Sequence, residues 1–211
     1  MDMSSRFWDK IAPKYARSPI ADEAAYQTKL AETRRLFRPD MEVLEFGCGT
    51  GSTAVLHAPH VRHITAVDFS RGMLDIAEQR AQAAEVENIT FVEADIDGFA
   101  SSDGAYDMVL TLSFLHLLKD PRAAIERIHR LLKPGGYFVS STACLGDTPM
   151  AALKYVAPLG KALGLLPQLK VFSEDGLVKM IGESGFVVDH RWRPTKAVAA
   201  FVIARKPERA A

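Results

Sequence analysis

The chain has 211 residues, 48% hydrophobic and 25% charged, which fits a globular domain with a sizeable core. Lys+Arg and Asp+Glu balance at 26 each, so no global basic field draws the chain to nucleic acid. The 2 cysteines, Cys48 and Cys144, form no C-x-x-C, which excludes a disulfide framework and argues against a structural zinc; no metal is expected.

Residues 5–17 and 20–38 read as two N-terminal helices, with Pro13 limiting the first and Pro19 breaking the chain before the second. A short buried strand over 42–46 follows, then a helix over 51–58, a strand over 63–67 and a helix over 71–84. In that last helix Met73, Leu74, Ile76, Ala77 and Ala81 supply an apolar face, while Glu78, Arg80 and Gln82 face water. Further strands are expected over 89–93 and 106–112, the latter apolar enough for a central parallel strand. Asp120 and Pro121 open a helix with Ala124, Ile125, Ile128, Leu131 and Leu132 on one side. Pro134-Gly135-Gly136 ends it and leads into a fifth strand, Tyr137–Ser141. A helix over 173–184, capped by Ser173 and stopped by Gly185, precedes a closing pair of strands, Phe186–Trp192 and Ala197–Ala204. The opening Met1-Asp2-Met3-Ser4-Ser5-Arg6-Phe7 has no apolar signal core, and no run reaches about 18 apolar residues, so a cytoplasmic protein is expected.

The most informative stretch is Val43-Leu44-Glu45-Phe46-Gly47-Cys48-Gly49-Thr50-Gly51. An apolar strand stops at an acid and enters three glycines at alternate positions. Glycine lets the backbone turn sharply and lets a ligand approach its N–H groups. The helix that starts at Ser52 points its N-terminal dipole at the same spot. The second apolar run ends at Asp68, 21 residues beyond Gly47, where a carboxylate can accept from both hydroxyls of a ribose. The spacing is G-x-G-x-G, not the G-x-G-x-x-G of dinucleotide binders. The competing reading makes the glycines a tight turn and Asp68 a helix cap.

At these residues the chain resembles the class I S-adenosylmethionine-dependent methyltransferases. Val43–Gly51 is similar to that family's first motif, and Ala66-Val67-Asp68-Phe69-Ser70 to the acidic strand end after it. Phe91-Val92-Glu93-Ala94-Asp95-Ile96 resembles the adenine-contacting motif, and Leu131–Val139 the motif that opens the fifth strand. The opening Phe7–Tyr15 is similar to small-molecule members such as the quinone-biosynthesis C-methyltransferases. The likeness spans about residues 7–205. It implies an α/β, doubly wound, mostly parallel seven-stranded Rossmann-like sheet with an antiparallel last strand and N-terminal helices. A single domain is expected, with a helical cap over 1–40, a cofactor-binding core over 41–145, a lid over 146–172 and a closing helix and strands over 173–205.

The resemblance implies S-adenosylmethionine as cofactor, held by Tyr15, Glu45, Phe46, Gly47, Cys48, Gly49, Gly51, Asp68, Phe69, Met73, Ala94, Asp95, Ile96, Leu112 and Ser113. Asp95 would accept from the adenine amino group, Ile96 would donate its N–H, and Phe69 and Met73 would enclose the ring. The plainer alternatives are a helix cap for Asp95 and core packing for Met73 and Tyr15. His116 follows strand four and is the best general-base candidate, because an ordinary imidazole titrates near neutrality. A structural role is its alternative. Tyr15 is the second catalytic candidate.

The segment 146–171 is apolar, interrupted by Pro158, Gly160, Gly164 and Pro167, and punctuated by Lys154, Lys161 and Lys170. It reads as a lid over the methyl acceptor, with a packing excursion or a membrane-surface contact as alternatives. The expected function is methyl transfer to a small molecule by in-line displacement, with the acceptor as the partner, by a monomer or homodimer. A non-catalytic cofactor-binding protein and a nicotinamide-dependent oxidoreductase are the rival readings.

Overall fold

The computed structural model of the chain describes residues 3–152, 169–194 and 198–208. Its seven strands are β1 (Glu42–Phe46), β2 (His63–Asp68), β3 (Ile89–Glu93), β4 (Tyr106–Leu112), β5 (Leu132–Ala143), β6 (Val187–Trp192) and β7 (Ala199–Arg205). They form one sheet in the order β3-β2-β1-β4-β5-β7-β6. Strand order outward from β1 reverses direction along the chain, as in a doubly wound fold. The last strand, β7, runs antiparallel to both β5 and β6, as expected. The chain gathers into two compact units, residues 1–99 and 100–211.

In the first unit, α1 (Met3–Arg17) and α2 (Glu23–Arg34) precede β1. Pro13 lies inside α1 instead of limiting it. Pro13 withholds its N–H and its ring crowds the carbonyl four residues back, so the Asp9 carbonyl lacks that helical donor, yet the helix continues to Arg17. The second helix is shorter than the expected 20–38 because Asp22 caps it: Asp22 Oδ1 accepts from the Ala25 N–H at 2.9 Å. Its far end tightens into turns, in which Leu36 and Phe37 donate to Thr33 and Arg34. β1, β2 and β3 pair in parallel, with Phe46 opposite Val67 and Asp68 opposite Glu93, so their carboxyl ends are level. α3 (Ser52–His57) and α4 (Arg71–Ala83) complete the unit. Met73, Leu74, Ala77 and Ala81 form the buried face of α4.

The second unit pairs β4 with β5 in parallel and follows β4 with α5 (Pro121–Leu131), capped by Asp120. Pro134-Gly135-Gly136 does not separate helix from strand. β5 begins at Leu132, and the register jumps from Tyr106↔Leu132 to Met108↔Tyr137, so Lys133–Gly136 bulge opposite Asp107. Lys133 Nζ bridges the bulge to Asp107 Oδ2 at 2.8 Å. A Cβ at Gly136 would come within 2.9 Å of the Lys133 carbonyl and 3.0 Å of the Asp107 carbonyl, so the bulge needs glycine there. α6 (Glu174–Glu183) is capped by Ser173, whose Oγ accepts from the Gly176 N–H at 3.1 Å. Of the segment expected to be a lid, residues 153–168 lie outside the described residues. Its base is described: the Gly146 N–H donates to the Phe172 carbonyl at 2.5 Å, and Arg193 Nη1 meets Asp147 Oδ2 at 2.7 Å.

Candidate functional site

β1 ends at Phe46, a fully buried ring set edge-on to Phe99 at 5.5 Å. The next residues turn on three left-handed glycines: Gly47 at φ 68°, Gly49 at φ 54° and Gly51 at φ 73°. The Gly47 and Cys48 N–H groups both donate to the Val67 carbonyl, at 2.8 and 3.1 Å, which ties the turn to the end of β2. Among the described residues a Cβ on Gly49 would meet only the Tyr15 ring, at 4.0 Å, so the backbone there is open to a ligand. A Cβ on Gly51 would lie 2.7 Å from the Ala77 Cβ, so Gly51 serves the packing of the turn against α4.

Asp68 closes β2 and is buried. Its Oδ2 accepts from the Gly49 N–H at 2.9 Å and its Oδ1 from the Ser70 N–H at 3.0 Å. The Phe69 N–H also bonds this carboxylate, so three of its roughly four lone-pair sites are engaged and acceptor capacity remains for a ligand hydroxyl. Burial raises the Asp68 pKa, opposed by these N–H donors. The helix after it is capped by Ser70, not by Asp68: Ser70 Oγ accepts from the Met73 N–H at 3.2 Å. Glu45 is more confined. It is 2% exposed, and its buried Oε2 has no hydrogen-bond partner among the described residues. Burial, with Asp68 nearby, pushes its pKa up to about 8. Burial also pushes the Cys48 thiol far up, which leaves it no nucleophilic role.

Phe69 is half-buried beyond Asp68, while Met73 is buried in α4. Ala94 donates its N–H to the Asp68 carbonyl at 3.1 Å, so the end of β3 stays beside that of β2. Asp95 is exposed, and its Oδ1 accepts from the Gly98 N–H at 2.6 Å. It caps a turn and no helix; Ile96 is buried within that turn. Tyr15 is 49% exposed, with its ring over Gly49 and edge-on to Trp8 at 6.3 Å. The first unit therefore gathers Tyr15, Glu45, the glycine turn, Asp68 and Phe69 around one strand edge.

The remaining candidates belong to the second unit. Leu112 ends β4, and Ser113 after it has φ 60°, strain of the kind functional turns retain. The Ser113 N–H donates to the Ser141 carbonyl at 2.7 Å. His116 sits in a 3-10 turn, Leu115–Leu117, with its Nδ1 buried and without a hydrogen-bond partner among the described residues. Burial lowers its pKa to about 4, which corrects the expectation that His116 titrates near neutrality. It is neutral at pH 7 and holds a lone pair, but it binds a proton weakly.

Sequence reasoning missed two residues that build the site. Asp9, on α1, accepts from Ser70 Oγ at 2.6 Å and from the Gly72 N–H at 3.0 Å, so it secures the start of α4. Arg80 does not simply face water, as expected: it donates to Thr50 and Ser52 in and beside the glycine turn. The signal was present, since Arg80 stands seven residues after Met73, on the stripe of α4 that packs inward.

Residues 43–136 match the family described as "Methyltransferase domain". The chain is 32% identical over 154 residues to a malonyl-[acyl-carrier protein] O-methyltransferase of Paenibacillus sp. (strain JDR-2), covering 69% of this chain and 55% of that protein. It is 31% identical over 170 residues to a ubiquinone biosynthesis O-methyltransferase of Alkalilimnicola ehrlichii (strain ATCC BAA-1101 / DSM 17681 / MLHE-1), covering 78% of this chain and 65% of that protein. The chain thus spans between about half and two thirds of the length of these two curated relatives. Its fold is similar to the N-methyltransferase NodS from Bradyrhizobium japonicum WM9 in complex with S-adenosyl-L-homocysteine, with TM-score 0.77, 18% identity, and 98% and 100% of the two chains covered. The match to a methyltransferase domain is confined to residues 43–136, the stretch that holds the glycine turn, Asp68 and Asp95. Among the described residues, no helix is long and apolar enough to cross a membrane.

Proposed function

We propose that the chain transfers the methyl group of S-adenosylmethionine to an oxygen of a small-molecule acceptor. One observation carries the cofactor half: an open left-handed backbone at Gly49 lies beside two buried carboxyl groups, Asp68 and Glu45, and Glu45 Oε2 has no hydrogen-bond partner among the described residues. A cationic, ribose-bearing ligand fits that donor set. In this reading Asp68 accepts from the ribose with the acceptor capacity that the Gly49, Phe69 and Ser70 N–H groups leave free. The backbone of the turn lies against the ligand at Gly49, while the N–H groups of Gly47, Cys48, Gly49 and Gly51 stay bonded within the protein and hold the turn in shape, with Phe46 and Cys48 packed beneath. Phe69 covers the adenine, Met73 supports that side from the core, and Asp95 and Ile96 contact the ring edge beyond Ala94. In the first unit Tyr15 stands over the turn, and Glu45, protonated in the free chain near neutrality, offers a carboxyl whose proton a cationic group displaces. In the second unit Leu112 and Ser113, at the end of β4, are the candidate contacts to the methyl-donor end.

The cofactor supplies a methyl on a positively charged sulfur, which makes it a strong electrophile. The chain's task is then to align an acceptor oxygen in line and to exclude water. A base is needed only if that oxygen carries a proton. His116 can take such a proton because it is neutral, though its lowered pKa makes it a weak base at pH 7. The oxygen acceptor rests on the two relatives named as O-methyltransferases. A thermal-shift titration tests the cofactor half. At about 100 times its dissociation constant, S-adenosylhomocysteine should add roughly 2.7 kcal/mol. That raises the melting temperature of a chain of this size by about 5–10 °C. A larger shift with NAD or NADP rejects the methyltransferase reading.

A further inference from the structure

Arg80 directs its guanidinium at neutral oxygens on two separate pieces of chain. Nη1 donates to the Thr50 carbonyl at 3.1 Å, to Thr50 Oγ1 at 2.6 Å, and to Ser52 Oγ. Nη2 donates to the Ala16 carbonyl at 2.8 Å. The first three acceptors belong to the glycine turn and the first residue of α3. The fourth lies in the last turn of α1, next to Tyr15, whose ring stands over Gly49.

The other end of the α1–α4 contact is fastened as well. Asp9 Oδ1 accepts from Ser70 Oγ and the Gly72 N–H, and a Cβ on Gly72 would lie 3.2 Å from the Asp9 Cα. Asp9 and Ala16 are seven residues apart, two helical turns, so both fastenings lie on one face of α1. Asp9 holds α1 to α4 alone. Arg80 holds α1, α4 and the glycine turn at once.

We infer that Arg80 is a positioning residue for the cofactor, which makes the ordering of the glycine turn and the docking of α1 over it one event. The guanidinium is a rigid planar fork with five donors, so it can span both pieces of chain. A lysine keeps the charge but offers one point of attachment. The inference rests on the cofactor reading above, because the turn that Arg80 holds is the one proposed to receive the ligand.

Calorimetric titration of S-adenosylhomocysteine into the full chain tests it. Arg80→Met and Arg80→Lys should both weaken binding at least tenfold while circular dichroism still reports a folded chain. In Arg80→Ala, millimolar guanidinium should restore part of the lost affinity, which a loss of general packing would not allow. Wild-type affinity in a folded Arg80→Met or Arg80→Lys overturns the assignment to Arg80 and leaves the cofactor reading standing. Absence of binding to the wild-type chain overturns the cofactor reading itself. Hydrogen exchange on the wild type keeps the test decisive if the variants do not fold. S-adenosylhomocysteine should protect residues 5–17 together with residues 47–52, and protection confined to the turn sinks the coupling.

Discussion

Glu45→Gln isolates the electrostatic strain stored beneath the glycine turn. The wild-type carboxyl is buried, its Oε2 has no hydrogen-bond partner among the described residues, and its pKa is raised from 4.5 to about 8 by burial first and by Asp68 second. Its folded value lies above its unfolded value, so the unfolded chain releases this proton first as the pH rises. The folded state therefore has the stabilising contribution of protonated Glu45 in full below pH 4.5 and loses it as the pH climbs to about 8. A shift of that size corresponds to roughly 4–5 kcal/mol across the window, since one pKa unit is about 1.36 kcal/mol. For a chain of this length, that is on the order of 10 °C in melting temperature.

Glutamine removes the titration and keeps the shape. It also places an amide N–H₂ where no acceptor faces Oε2, which costs about 1–3 kcal/mol at every pH. The absolute stability of the variant is therefore a poor readout, and the slope is the good one. Urea unfolding of both ligand-free chains from pH 5 to 9 measures it. The wild type should lose several kcal/mol relative to Glu45→Gln as the pH rises, and the two curves should run parallel above about pH 8. Parallel curves over the whole range would falsify the assignment of a protonated Glu45 to the folded chain.

Two other substitutions test the same unit. Asp68→Ala removes acceptors for the Gly49 and Ser70 N–H groups as well as the proposed ribose contact, and each charge-assisted bond is worth about 1.5–3 kcal/mol before desolvation is offset. S-adenosylhomocysteine affinity should fall more than tenfold, with a smaller loss of stability in the free chain; unchanged affinity by calorimetry reduces Asp68 to a tie between strand and turn. His57 is fully buried, neither ring nitrogen has a hydrogen-bond partner among the described residues, and burial lowers its pKa to about 3. Its folded value lies below the unfolded one, so stability is lost as the pH falls from 6.5 towards 3, by roughly 2 kcal/mol at pH 5. His57→Leu should flatten that acid limb in thermal melts between pH 4 and 7, and an unchanged limb places the acid sensitivity elsewhere.

What the sequence made legible follows from which forces act locally. The strand–glycine–helix corner depends on backbone conformations that only certain residues adopt, so Gly47, Gly49 and Gly51 announced it, and all three are left-handed. The caps at Ser173 and Asp120 are equally local, since side chain and N–H are three residues apart. The expected bounds of β3 and β4 agree with the structure because apolar runs end where turns begin. The bulge at Lys133–Gly136 was not legible. Pro134-Gly135-Gly136 reads as a stop in one dimension, yet the neighbouring β4 strand lets pairing resume beyond it.

The residues that fasten the site were hidden for a related reason. Arg80 and Asp9 act on partners tens of residues away in sequence, Thr50, Ala16 and Ser70 among them. Periodicity marked the α4 stripe correctly, but a charged residue on it was assigned to solvent by residue type alone. A stripe position seven residues from a buried methionine outweighs that preference when neutral oxygens converge on it. The same logic applies to His116, where residue type suggests titration near neutrality and burial lowers the pKa to about 4. In both cases the chemistry of a side chain is set by what surrounds it, and the glycine turn is legible because glycine's role depends least on its surroundings.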